Sequence, residues 1–385
     1  MERRKFILTA SMAGAGCFLS ESKAIYKSNH KFDVPAYLQH VSADFQRDPR
    51  KTNLDWFKDA RFGLFLHYGL YSILGKGEWS QLTEKIPVAE YARLKNEFKA
   101  DRFDADFITD LALEAGMKYI NITTKHHDGF CLFNSKYDDF TSVHSPARRD
   151  LVQELSVQCN KKGLALFLYY SYGVDWRHPY FFPNHVGWDK SRPDYASEQP
   201  EYQYKEKADF KKYIQYTHTQ FGELLTQYPG VAGIWLDPIM GFYKNPDFFP
   251  IAETYQHIRS FQPHTLIAFK QGANGDEDYV APERTPRAHT EGGPLGLKVW
   301  EMNKYKPKEI CDTLQPKDIP GSSWGYNTLA DGKHVNEHYV VKMLEQAASV
   351  NANLLLNIGP KGDGSIPEED ILTLKKIKKI SSYLK

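Results

Sequence analysis

Cysteine is scarce in this chain, with four in 385 residues. Apart from Cys17 there are Cys131, Cys159 and Cys311, an odd number at wide spacing, which argues against a disulfide framework. No Cys-x-x-Cys pair points to zinc. Net charge is lacking as well. Lys and Arg number 49 against 48 Asp and Glu, leaving +1, so nothing electrostatic favours nucleic acid or a membrane surface as partner. No apolar run is long enough to span a bilayer, and no internal repeat or low-complexity stretch stands out. These absences leave a globular composition, 41% hydrophobic and 14% aromatic.

The N-terminus reads differently from the rest. Met1 to Leu8 carries Arg3, Arg4 and Lys5, and a small, apolar run follows from Thr9 to Leu19. That is the pattern of an export signal, to be kept apart from the fold. Arg3-Arg4 resembles a twin-arginine signal, which would deliver a folded protein to the periplasm, and reads equally as the basic start of an ordinary secretory signal. Cys17 after Gly14-Ala15-Gly16 hints at lipid attachment. The expected organisation is an export signal over 1–24, a linker or arm over 25–50, and a catalytic domain over 51–385.

Within that domain short apolar runs alternate with amphipathic segments, the pattern of a parallel sheet covered by helices. Candidate strands are Phe62 to Leu66, Tyr119 to Ile122, Leu164 to Tyr170, Val231 to Leu236, Thr265 to Phe269, Leu297 to Trp300, a weak one at Ser322 to Trp324, and Asn353 to Asn357. Helical patterns cover Ala105 to Ala115, Leu151 to Lys162, Phe210 to Tyr228, Pro250 to Phe261, Asn336 to Val350 and Glu368 to Leu384. Eight strands in this alternation predict a (β/α)8 barrel, whose chemistry sits at the C-terminal strand ends. The long loop from Ser171 to Pro200, rich in Tyr, Trp and Pro, is placed to wall a pocket.

Polar groups at those strand ends are the candidate site. His67-Tyr68-Gly69 follows the first strand, with Gly77-Glu78-Trp79 shortly after, and Lys125-His126-His127-Asp128-Gly129 follows the second. Tyr169-Tyr170-Ser171 ends the third, and Trp235-Leu236-Asp237-Pro238 the fourth. An ionised carboxylate closing an apolar strand is costly to bury without partners. Asp237 therefore reads either as a cap for the next helix or as a nucleophile or base at the barrel mouth.

These motifs, together with Ala60 to Ser72, Arg149-Asp150-Leu151-Val152, Asp175-Trp176, Trp324-Gly325-Tyr326-Asn327 and Asn353 to Gly364, resemble the retaining α-L-fucosidases of glycoside hydrolase family 29 over nearly the whole chain after the export signal. The resemblance implies release of terminal α-linked L-fucose from fucosylated glycans with retained configuration, and no metal or other cofactor. It puts the nucleophile at Asp237 and, through Asp278-Tyr279-Val280-Ala281-Pro282-Glu283, the acid/base at Glu283. His67, Glu78, Trp79, His126, His127, Tyr169, Trp235 and Trp324 match positions that resemble the family's fucose contacts. Lys270 falls where some relatives carry arginine and is given no role. The chain stops soon after the last predicted helix, so the family's C-terminal β-sandwich is expected to be absent.

Retaining hydrolysis needs two carboxyl groups about 5 Å apart, one attacking the anomeric carbon and one protonating the leaving oxygen. Such an acid needs a raised pKa, which a partly buried position beside aromatics would supply to Glu283. Histidines suit sugar hydroxyls, and Trp and Tyr faces suit the apolar side of the ring. α-L-Galactose, which differs from fucose only at the C5 substituent, is an alternative substrate. Another is a metal-dependent barrel hydrolase with His67, His126, His127 and Asp237 as ligands. Against it, His126 and His127 would face opposite sides if their strand continued. A sugar-binding protein with lapsed catalysis is a third reading.

Overall fold

Seven parallel strands, β1 (Phe62–Leu66), β2 (Tyr119–Lys125), β3 (Ala165–Ser171), β4 (Gly233–Asp237), β5 (Leu266–Phe269), β6 (Lys308–Thr313) and β7 (Ala352–Ile358), pair in the order β5-β4-β3-β2-β1-β7-β6. The computed structural model describes residues 33–285, 287, 292–320 and 324–380; the expected export segment, with Arg3, Arg4 and Cys17, lies outside them. Every strand residue except Lys308 is buried, as in a parallel sheet covered on both faces. Alternate residues separate two cores. Phe65, Tyr119, Phe167, Tyr169, Trp235, Leu266 and Leu355 fill the barrel interior, while Leu64, Ile120, Leu168, Ile234 and Leu356 pack under the helices. Glycine makes the interior layers fit. A Cβ on Gly63 would lie 2.3 Å from the Tyr119 ring, and one on Gly233 2.5 Å from the Phe167 ring.

Helices of eleven residues or more are α1 (Pro49–Asp59), α2 (Ala105–Ala115), α3 (Leu151–Lys162), α4 (Phe210–Gln227), α5 (Ile251–Phe261), α6 (Gly293–Asn303), α7 (Glu337–Ser349) and α8 (Glu368–Ile380). Their starts follow capping chemistry: Asp104, Asp150 and Asn336 accept from Phe107 N, Gln153 N and Tyr339 N. Gly116 and Gly163, both left-handed, end α2 and α3. α8 packs on both α7 and α2 and so completes the helical ring. At the floor, Asn53 of α1 donates to the carbonyls of Ala232 (2.9 Å) and His264 (2.8 Å), and Phe57 packs on Tyr119 and Phe167.

One predicted strand is wrong, and another lies mostly outside the described residues. Leu297 to Trp300 lies in α6, which starts at Gly293-Pro294; of those four residues only Val299 is buried, so the apolar run is one helix stripe. Of Ser322 to Trp324 only Trp324 is described, and it sits in a loop. The strand that pairs with β7 is instead β6, whose Lys308-Glu309-Ile310-Cys311-Asp312-Thr313 holds two apolar residues and therefore reads as polar.

Closure between β5 and β6 comes from residues 278–284. Asp278 N and Ala281 N donate to the carbonyls of Ile267 (2.8 Å) and Lys270 (2.7 Å), while Val280, Pro282 and Arg284 bond to the β6 side. This segment is the eighth stave of the (β/α)8 barrel. Pro282 removes one ladder donor, which keeps the stave irregular. The described residues end with α8 and include no β-sandwich, and no described helix is long and apolar enough to cross a membrane.

Candidate active site

Side chains two residues beyond an inward-facing strand position share its face, so Phe65 leads to His67, Trp235 to Asp237, and Leu355 to Asn357. A cavity of about 590 Å³ opens there, and all ten predicted site residues line it. Phe65, Tyr169 and Trp235 line it from the buried core, with Tyr169 stacked on Trp235 at 5.5 Å between centroids.

Asp237 is at the end of β4, its side chain 11% exposed. Tyr169 OH donates to Oδ2 at 2.8 Å, and Lys270 Nζ stands 3.4 Å from Oδ1. Burial raises the Asp237 pKa, the Lys270 ammonium and the Tyr169 hydroxyl pull it down, and the Glu283 charge adds to the rise; the balance is upward. Lys270 follows β5 at φ 47° and lies over the Trp235 ring at 4.7 Å. Its Nζ also reaches Glu283 Oε2 at 3.3 Å. Both carboxylates hold the Lys270 pKa above the ordinary lysine value against the opposing effect of burial.

A single nitrogen 3.4 Å from one carboxylate and 3.3 Å from the other bounds the gap between those oxygens at about 6.7 Å, below most of the range used by inverting enzymes. Glu283 itself is 36% exposed, with Arg284 Nε 3.9 Å away. It lies on the irregular stave, beside cations at the cavity mouth, and not in the partly buried aromatic setting expected from sequence. Lys270 is the residue sequence reasoning passed over. Its signal was its place at the end of β5, level with Asp237 at the end of β4.

The histidines act as neutral rings. Ser171 Oγ donates its one proton to the Val174 carbonyl (2.6 Å), so at its 2.7 Å contact with His127 Nδ1 the ring nitrogen is the donor. That leaves His127 Nε2 as an acceptor, 3.8 Å from Asp237 Oδ2. His67 follows the same logic: Asn357 Nδ2 donates to the Trp324 carbonyl (2.8 Å), so its Oδ1 accepts from His67 Nδ1 at 2.6 Å. Burial drives the His67 pKa down to about 3 and those of His126 and His127 well below the ordinary value. Two acceptor nitrogens therefore line a pocket suited to hydroxyl donors.

His126 and His127 do not face opposite sides. A register shift between Thr123 and Lys125 ends the regular ladder, and both rings turn to the cavity with centroids 4.0 Å apart. The same irregularity sends Lys125 outward into a buried ion pair with Asp175 at 2.7 Å, against the rings of Tyr170 and Tyr216. Four metal ligands do not assemble here. Among the described residues the His, Asp and Glu groups close enough to share an ion lie elsewhere, and Lys270 occupies the Oδ1 side of Asp237.

Glu78 Oε2 accepts from the backbone N–H of Trp324 (3.2 Å) and Gly325 (2.8 Å), so it holds the loop that brings Trp324 within 5.3 Å of the His67 ring. Trp79 packs edge-on against His127 and Trp188. Trp188 and Lys190, from the long loop after β3, complete that wall.

Residues 35–385 match the sequence profile of the α-L-fucosidase family. The chain belongs to the α-L-fucosidase family. Among solved structures it is similar to α-L-fucosidase isoenzyme 1 from Paenibacillus thiaminolyticus, with 32% identity, a TM-score of 0.70, and coverage of 86% of this chain and 75% of that one. The unliganded α-L-fucosidase AlfC from Lactobacillus casei aligns at 29% identity and TM-score 0.69, over 85% of this chain and 97% of its own. Human plasma α-L-fucosidase is 27% identical over 88% of this chain and 70% of its own length. This fucosidase-family barrel is thus a glycoside hydrolase.

Proposed function

We propose that the chain is an exo-acting retaining α-L-fucosidase that works by double displacement. The observation carrying this reading is the pair of carboxylates, Asp237 and Glu283, facing one Lys270 ammonium across a pocket that the sugar-contact candidates line. Tyr169 OH holds Oδ2 of Asp237, and the Asp237 carboxylate attacks the anomeric carbon. The glycosidic C–O bond breaks as Glu283 gives its proton to the leaving oxygen. An ester between fucose and Asp237 results. Glu283, now a carboxylate, takes a proton from water, whose oxygen attacks the same carbon and releases Asp237, so configuration is retained.

His67 and His127 accept sugar hydroxyls through Nε2, and the Trp and Tyr faces take the apolar side of the ring. A pocket of about 590 Å³, with Glu283 at its mouth, suits a terminal residue better than a chain interior. Assay of Asp237→Ala and Glu283→Ala on an aryl α-L-fucoside tests this. Asp237→Ala should lose at least about a thousandfold in kcat. Glu283→Ala should regain turnover with azide and yield the α-configured fucosyl azide. Undiminished turnover in Asp237→Ala would overturn the nucleophile assignment, and a glycosyl azide of inverted configuration from Glu283→Ala would overturn the acid/base assignment.

Export belongs to the same reading. Arg3-Arg4 ahead of the run from Thr9 to Leu19 supports delivery to the periplasm, and fractionation of cells expressing Arg3→Lys with Arg4→Lys tests it: the variant should stay in the cytoplasm.

A further inference from the structure

Outside the cavity, the loop between Trp324 and α7 meets the first turn of α8. There a ring nitrogen of His334 and carboxylate oxygens of Asp331 and Glu369 all lie within 4.8 Å of one another. Asp370, whose side chain is wholly buried, holds His334 Nδ1 through Oδ1 at 2.5 Å. The His334 side chain is only 2% exposed, yet its Nε2 has no hydrogen-bond partner and stands 3.7 Å from Glu369 Oε1, beyond hydrogen-bond reach. A buried ring nitrogen left without a partner is destabilising unless something else engages it.

We propose that His334 Nε2, Asp331 and Glu369 bind one divalent transition cation of the zinc class. One imidazole with two carboxylates is a borderline donor set that suits such ions better than calcium. The carboxylate on the far ring nitrogen is the arrangement that orients histidine ligands and raises their basicity. Both Glu369 oxygens are already positioned, Oε1 by Gly332 N at 2.9 Å and Oε2 by His334 N at 3.1 Å. Asp331 is exposed, so water completes the coordination. Tyr326 OH donates to Asp331 Oδ2 at 2.9 Å, and Tyr326 lies two residues from Trp324 on the cavity wall. The cation therefore staples the loop that carries Trp324 to the start of α8.

The test is calorimetric titration of the chelator-treated full chain with ZnCl2, with thermal unfolding and the visible spectrum of the Co2+ form as parallel readouts. Expected are one saturable site per chain, a raised thermal midpoint, and tetrahedral Co2+ absorption. Asp370→Asn should weaken binding about 10–100-fold by loosening the ring. His334→Gln should abolish it. Asp331→Asn, at an exposed position, should weaken binding without disturbing the fold. No saturable heat and no change in midpoint for the wild-type chain would overturn the proposal, because that is the result if His334 is simply an imidazolium held by Asp370 and Glu369. Undiminished binding in both His334→Gln and Asp331→Asn would overturn it too, by locating the ion elsewhere. None of these readouts depends on glycoside hydrolysis.

Discussion

Replacing Lys270 by methionine removes the cation between the two carboxylates while keeping most of the side chain's volume. At 3.4 Å and an effective dielectric of about 20, the Lys270–Asp237 pair is worth about 5 kcal/mol. That is an upper bound, since Lys270 is 17% exposed and water can enter beside the shorter side chain. An opposite charge at this range ordinarily lowers a carboxylate pKa by about 1–3 units, so its loss should raise that of Asp237 by about 1–2 units, above a position that burial has already lifted. Under the proposed mechanism Asp237 must be ionised to attack, and the acidic limb of kcat/KM against pH would report its ionisation in the free enzyme. In Lys270→Met that limb should move to higher pH by about 1–2 units, with kcat/KM falling about tenfold for each unit of pH below it. Glu283, 3.3 Å from the same nitrogen, loses the same cation, so the alkaline limb should move in the same direction and the whole bell should shift. A wild-type acidic limb in Lys270→Met, with activity lowered by one constant factor at every pH, would show that Lys270 only contacts substrate and would refute the electrostatic reasoning.

Beneath the cavity Glu309 accepts from Tyr119 OH (2.6 Å) and Trp235 Nε1 (3.0 Å), and burial pushes its pKa up to about 7 from 4.5. Its raised value gives stability that is complete below pH 4.5 and is lost as pH climbs through 7. Glu309→Gln lacks this dependence, so thermal midpoints across that window should show the variant gaining on wild type by about 3 kcal/mol; parallel curves would contradict it. The Lys125–Asp175 pair, 0% and 1% exposed, should cost about 3–5 kcal/mol when broken by Lys125→Met. At roughly 2 °C per kcal/mol, scanning fluorimetry should show a midpoint about 6–10 °C lower. Adding Asp175→Asn should recover part of the loss, and a midpoint unchanged in Lys125→Met would refute a structural role for the pair.

Local chemistry made much of the protein legible. α2 and α3 were read from sequence residue for residue, because Asp104 and Asp150 cap their starts and Gly116 and Gly163 end them. Six of the predicted strands are strands, since burial on both faces leaves continuous apolar runs. The misses occur where one short signal has two meanings. Leu297 to Trp300 is equally a helix stripe, and β6 carries Glu309, whose partners Tyr119 and Trp235 are distant in sequence.

From the sequence alone came the alternation of strands and helices, the order of the motifs, and the ten side chains that meet in the cavity. The alternation depends on neighbours within a few residues or on a two-residue period, both written along the chain, whereas the ten side chains are what the motifs' resemblance to the family implies. Tertiary structure alone decided that residues 278–284 close the barrel, that Lys270 stands between Asp237 and Glu283, and that a register shift turns both His126 and His127 to the cavity. It also set the histidine tautomers, through Ser171 at 44 residues from His127 and Asn357 at 290 residues from His67. Charges and ring protons answer to whatever lies within a few ångströms, and in a closed barrel those neighbours come from strands far apart in the chain.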